Sequence, residues 1–222
     1  MATRTRSPER RGEPLSRERI VEAAIGLLDT AGESGLTFRA LAQRLATGPG
    51  AIYWHVAGKD ELLHAAADAV VDGAMTTGTA DTTPQEAIRA LALGVFDAID
   101  AHPWIGTQLA RATGQSPMLR IFERLGRQVQ ALGVPDDAQF TAASALLHYI
   151  LGVGEQNAAN ARAVPDTNRA EFLNAAAAVW ANLDPDEYAF TRNVADRLRD
   201  HDDRTEFLAG IDLILSGIAA LQ

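Results

Sequence analysis

The stretch LTFRALAQRLATGPGAIYWHVAGKDELL, residues Leu36 to Leu63, decides the reading of this chain. Thr37 is a good N-cap, and Leu36 and Leu41 stand at the spacing of a hydrophobic staple, so a short helix opens after Thr37. Its apolar stripe is Phe38, Leu41, Ala42 and Leu45. Ala46-Thr47-Gly48 is a tight break, and Pro49 suits the first turn of a third helix that reaches Val56 before Ala57-Gly58 interrupts it. Lys59 then opens a longer helix through Leu62, Leu63, Ala66, Ala69 and Val70. Two short helices joined by a turn of three to four residues form the outline of a helix-turn-helix.

Working outward, a first helix starts at Ser16, with Leu15 and Ile20 as its staple and Ile20, Ala24, Leu27, Leu28 and Ala31 as its apolar face; Gly32 is its natural stop. Downstream, Gly73 to Thr83 is a connector of small and polar residues and the expected domain boundary. Pro84 begins a helix to Ala101, ended by His102-Pro103. Helical periodicity continues at 104–113, 117–132, 136–159, 167–182, 186–199 and 204–221, with no sustained strand alternation and no internal repeat. The predicted class is all-α: an N-terminal three-helix helix-turn-helix domain over residues 15–63, preceded by a disordered basic arm (1–14), and a C-terminal helical bundle over 64–222.

Composition narrows the chemistry. The 222 residues include no cysteine, which excludes a disulfide scaffold, thiolate zinc sites, iron–sulfur clusters and cysteine nucleophiles. No apolar run follows the N-terminal arginines as a signal peptide requires, and none approaches the roughly 18 residues of a membrane span, so a cytoplasmic protein is expected. The net charge of −9 argues at first against nucleic acid, but it is unevenly spread. Residues 1–59 carry 9 basic and 6 acidic groups (+3), whereas 60–222 carry 11 and 23 (−12). The longest acid-free stretch, 34–59, holds Arg39, Arg44, His55 and Lys59. Phosphate contacts need cations, hydroxyls and helix N-termini free of neighbouring carboxylates.

Leu36 to Leu45, Gly50 to Val56 and Lys59 to Leu63 strongly resemble the DNA-binding motif of the tetracycline-repressor (TetR) family, with Tyr53-Trp54-His55 closest to the tetracycline-repressor branch. A fainter resemblance reaches Phe207 to Gly217. It implies a homodimeric repressor that binds a near-palindromic double-stranded DNA operator and is released by a small-molecule effector. In such a dimer the recognition helices stand about 34–36 Å apart, or a multiple of it. By the same resemblance, Pro49 to His55 form the recognition helix, Arg39 reads a guanine, Thr37 contacts phosphate with help from Gln43, and Tyr53, His55 and Lys59 match phosphate-contacting positions. Gly50 and Ala51 stand where long polar side chains often sit, leaving methyl contact and close backbone approach as their means of readout. Ile52 and Trp54 are expected in the core of the helix junction.

Polar and aromatic residues interrupt the apolar bundle helices at Phe96, His102, Trp104, Gln108, Arg111, His148, Tyr149, Glu155, Asn157 and Trp180, as the lining of an effector pocket requires. No cofactor is expected beyond that effector. His64 and Asp68 are four apart but lack a third metal ligand, and Met75 stands where the resemblance places a ligand histidine of the tetracycline repressors, so a magnesium–tetracycline effector is not expected. For dimerisation, Phe207, Ile211, Ile214, Leu215 and Ile218 form a stripe broken by Gly210 and Gly217, and the helix near 136–159 offers Phe140, Ser144, Leu147, Leu151 and Gly154. The resemblance implies that these two helices and their symmetry mates make a four-helix interface; periodicity fits an internal core equally well. The alternative reading is a helical small-molecule-binding protein or enzyme without DNA binding. No nucleophile–base pair or phosphate-binding glycine loop supports it, and Gly48-Pro49-Gly50 lacks a preceding strand.

Overall fold

A computed structural model describes residues 14–75, 82–110, 117–163 and 169–221. The arm up to residue 13, the middle of the 73–83 connector, Arg111 and the stretch around Pro165 lie outside the described residues. Among the described residues every regular element is helical: α1 (Arg17–Gly35), α2 (Phe38–Arg44), α3 (Pro49–Tyr53), α4 (Lys59–Ala74), α5 (Pro84–Ala101), α6 (Trp104–Ala110), α7 (Pro117–Ala131), α8 (Asp136–Ala163), α9 (Arg169–Ala181), α10 (Ala189–Val194) and α11 (Asp203–Ala219), with a 3₁₀ turn at Ala195–Leu198. The chain divides into two compact units within α4, between Ala66 and Ala67.

Local chemistry sets the ends of the elements in the first unit. The Ser16 hydroxyl accepts from the Arg19 N–H at 3.3 Å, and the Thr37 hydroxyl from that of Ala40 at 3.1 Å. These bonds satisfy donors that the first helical turn leaves without partners. Gly32, at φ 64°, departs from helical geometry inside α1. Between α2 and α3 the chain turns through Ala46, whose φ of 51° places an L-residue in the left-handed region. The Thr47 N–H closes this turn on the Ala42 carbonyl at 2.9 Å. Ile20, Leu36, Leu41, Ile52 and Leu62 are fully buried and form the centre of the unit.

In the second unit α5 packs on α7, α8 and α11, and α8 packs on α7 and α11, while α6 lies against α5, α7 and α8. Ile88, Ile99, Ile105, Leu109, Ile121, Leu125 and Phe207 are among its fully buried side chains. A capping box between Thr83 and Glu86 starts α5, and Asp202 caps α11 through the Thr205 N–H at 2.7 Å. The end of α4 is held closely within this unit. A Cβ on Gly94 would stand 2.3 Å from the Ala74 carbonyl oxygen, so only glycine admits α4 this near to α5. Arg120 of α7 bridges Asp68 at 2.8 Å and Asp72 at 2.5 Å, and Arg124 donates to the Met75 carbonyl at 2.6 Å.

The penultimate helix is shorter than periodicity predicts. Asp184 accepts the N–H groups of Asp186 and Glu187 at 2.9 and 3.1 Å, so its side chain holds these residues in a turn and α10 begins only at Ala189.

The last helix requires a larger correction. Phe207, Ile211, Leu215 and Ile218 are buried inside the chain, because α11 turns that stripe onto α5 and α8. Leu147 and Gly154 of α8 are buried too, with Ile99 seated against Gly154. These residues are internal core, not the surface of an interface. The outward face of α11 is instead Ala209, Leu213, Ser216, Gly217 and Ala220, with Leu213 76% exposed.

Candidate nucleic-acid interface and effector region

Within the first unit, the residues expected to meet DNA sit on α2, α3 and the start of α4. Thr37, Arg39, Gln43, Gly50 and Tyr53 are exposed, and Ala51, His55 and Lys59 are half-buried. Arg39 engages no carboxylate among the described residues. Tyr53 is positioned by a nearly parallel stack on Phe38, with ring centroids 4.3 Å apart, which leaves it 55% exposed. An aromatic ring clamped in this way loses little further freedom on meeting a partner. Lys59 is already engaged: its ammonium donates to the Glu33 carbonyl at 2.5 Å, near the C-terminal end of α1. Arg44 leaves this set, because its guanidinium lies over Gly26 of α1, where a Cβ would meet it at 2.5 Å.

Trp54 corrects an expectation. Ile52 is fully buried and Val56 nearly so, and these two, four residues apart, fill the helix junction from one side. Trp54, between them, faces away at 91% exposure. Helix α3 ends at Tyr53, so Trp54 is its C-cap rather than part of its buried stripe.

In the second unit the candidate effector residues do not converge on one place. Phe96 is buried in an aromatic stack, 4.6 Å from Phe207, which in turn stacks on Tyr149 at 5.6 Å. The Tyr149 hydroxyl donates to the Phe207 carbonyl at 3.2 Å, and burial followed by the Glu206 charge pushes its ionisation up. His102 caps α5 and meets the buried Trp104 edge-on at 6.2 Å. Gln108 is half-buried on α6. Glu155 of α8 reaches the same helix: its Cγ would be 2.9 Å from a Cβ on Gly106. His102, Trp104, Gln108 and Glu155 therefore gather around α6, whereas His148 is exposed on α8 and Trp180 is half-buried on α9. Asn157 donates to Asp100 at 3.0 Å. Met75 is buried and lines a groove of about 460 Å³ with Asp72, Leu119, Arg120, Glu123, Arg124 and Arg127. Among the described residues no cluster of histidine and carboxylate side chains could hold a metal ion.

The profile described as "Bacterial regulatory proteins, tetR family" matches residues 20–66, and that of "Tetracyclin repressor-like, C-terminal domain" matches residues 78–222. The chain belongs to the TetR family. The N-terminal match falls on the unit that holds the helix-turn-helix of α2 and α3. Among solved structures the chain is 62% identical to a TetR transcriptional regulator from Streptomyces coelicolor, covering 94% of this chain and 99% of that one with a TM-score of 0.87. It is 31% identical to BioQ, solved with its double-stranded DNA operator, over 93% of this chain and 99% of that one, at a TM-score of 0.58. Among curated proteins it is 30% identical to the HTH-type transcriptional repressor DrrR1 of Streptomyces coeruleorubidus over 66% of this chain. The chain spans 59% and 56% of the length of two such curated relatives. No helix among the described residues is long and apolar enough to cross a membrane.

Two features of this TetR head are not readable from residue spacing. One is the exposure of Trp54, which depends on where α3 stops. The other is a set of bonds behind α3, between Arg17 and Glu61, which lie 44 residues apart. Their only signal in the sequence was that both fall at helix starts, where charged residues are common.

Proposed function

We propose that this protein is a homodimeric repressor in the cytoplasm that binds a near-palindromic operator and leaves it when a small molecule enters the C-terminal unit. The observation that carries the reading is Arg39, exposed at the first turn of α2 and unpaired with any described carboxylate, beside the clamped and exposed Tyr53 of α3. A free guanidinium can make a bidentate contact to a guanine, and the phenol offers a phosphate donor. Thr37, Gln43, His55 and the backbone at Gly50 and Ala51 complete the face, Lys59 keeps donors beyond the one it gives Glu33, and Trp54 adds an apolar flank. The operator-bound structure of BioQ and the repressor name of DrrR1 support this reading. Selection from a random duplex pool recovers the preferred DNA. Arg39→Ala is expected to weaken binding to that duplex by about 1–3 kcal/mol, roughly 5- to 160-fold, with unchanged thermal stability. Equal affinity of the variant would remove Arg39 from the interface.

We place the dimer contact on the outward side of α11, around Leu213, together with the exposed small residues Ala145 and Gly152 of α8. Small residues let helices approach closely, and Leu213 supplies the apolar area that one chain leaves uncovered. Leu213→Glu is expected to give monomers in sedimentation without loss of helicity; a persistent dimer would place the interface elsewhere. For the effector we favour the surroundings of α6, where Trp104 and His102 provide an aromatic wall and Gln108 and Glu155 the polar groups. Arg111 lies outside the described residues. Ligand and operator binding are then linked, so an effector that prefers the released state weakens operator binding by the same coupling, typically ~1–3 kcal/mol.

A further inference from the structure

Glu61 poses an electrostatic puzzle. It stands in the first turn of α4, two residues after Lys59, in the unit that meets a polyanion, where a carboxylate opposes binding. Its two oxygens are both used. One accepts from the Arg17 guanidinium at 2.7 Å and the other from the Ala57 N–H at 2.6 Å. The same Arg17 nitrogen donates to the His55 carbonyl at 3.1 Å. The segment that follows the recognition helix, Trp54 to Gly58, is thus tied on one side to the start of α1 and on the other to the start of α4. Its neighbour Asp60 is exposed and makes no such bond among the described residues, so two adjacent acids carry the same charge but differ in what they hold.

We propose that Glu61 is a positioning residue for operator recognition: with Arg17 it fixes the C-terminal end of α3, and so the direction in which Tyr53 and the recognition helix present themselves, without touching DNA. This rests on the operator reading above. An exposed ion pair alone contributes little, but this carboxylate also takes a backbone N–H that has no other acceptor among the bonds of the segment. Charge-assisted bonds to backbone donors are the stronger kind. The backbone N–H of Ala57, then Arg17, hold the Glu61 carboxyl below the ordinary glutamate range, so the clasp stays charged at neutral pH.

The two roles of a carboxylate here predict opposite signs. If Glu61 acts only as charge, Glu61→Gln removes repulsion and tightens both selected and random duplexes, as Asp60→Asn should. If it positions α3, Glu61→Gln weakens the selected duplex by about tenfold, the scale of a lost charge-assisted bond, while binding to a random-sequence duplex stays equal or tightens. The experiment measures affinity of the full chain and of each variant for a fluorescein-labelled duplex recovered by selection and for a random duplex of equal length, with thermal melts alongside. A drop in the ratio of specific to random affinity for Glu61→Gln but not Asp60→Asn supports the inference. Parallel behaviour of the two variants overturns it. If Glu61→Gln does not fold, Arg17→Met replaces it: this fills similar space but offers no donor to Glu61 or to the His55 carbonyl, so the ratio should fall, and an unchanged ratio overturns the inference. A wild-type chain that selects no duplex overturns the operator reading itself, an outcome distinct from either.

Discussion

The two units of this chain treat their aromatic residues in opposite ways. In the N-terminal unit Tyr53 stacks on Phe38 yet stays half in solvent, and Trp54 is almost wholly exposed. In the C-terminal unit Phe96, Phe207 and Tyr149 stack on one another between α5, α8 and α11, and the first two are buried. A stack that is left exposed holds a surface in shape; a stack that is buried holds helices together. The charges differ as well: Arg39 of the first unit is exposed with no carboxylate partner among the described residues, whereas several acids of the second are tied up in ion pairs such as Arg89–Asp212 and Arg204–Asp97.

That contrast breaks most readily at Phe207. Phe207→Ala is expected to cost about 3–5 kcal/mol, the scale of a large aromatic lost from a packed core, read as a fall in the chemical-denaturation midpoint. Tyr53→Ala in the same assay should move stability far less, and operator affinity more. Comparable losses of stability would mean that the exposed stack is scaffold after all. The next effect is at α11. Gly210→Ala should destabilise by about 1–3 kcal/mol, the range for overpacking, because the new Cβ would fall 1.9 Å from the Tyr149 hydroxyl, which its stack and its bond to Phe207 prevent from moving. Gly217, with nothing within 4 Å, should accept alanine without that loss. The smallest effect has the opposite sign. Ala46 occupies the left-handed region at φ 51°, so Ala46→Gly should raise stability by about 0.5–1 kcal/mol, less than the full left-handed cost because glycine loses more entropy on folding. A decrease would show that this turn is unstrained.

The head was the more legible half. Its caps at Ser16 and Thr37, the turn before Pro49 and the restart at Lys59 are set by contacts within a few residues, and the described structure has each of them. Residues 55–59 were harder to read: Glu61 and Arg17 meet across 44 positions, and no local pattern announces the pair. In the body, periodicity located the helices closely but left the inward side of α11 open. A stripe of Phe207, Ile211, Leu215 and Ile218 satisfies a core and an interface alike, and only packing against α5 and α8 distinguishes them. The effector set shows the same ambiguity. Phe96 and Glu155 look alike as interruptions of a helix, yet one is stacked in the core and the other reaches across Gly106.

By itself the sequence determined the all-α class, the helix-turn-helix, its family and the segregation of basic head from acidic body, because capping, periodicity and charge act over short stretches of chain. Tertiary structure alone decided that Trp54 faces out, that Arg44 lies over Gly26, that Glu61 meets Arg17 and the Ala57 N–H behind α3, and which side of α11 is left uncovered. Those outcomes depend on which distant surface reaches a side chain first, and residue spacing carries no record of that.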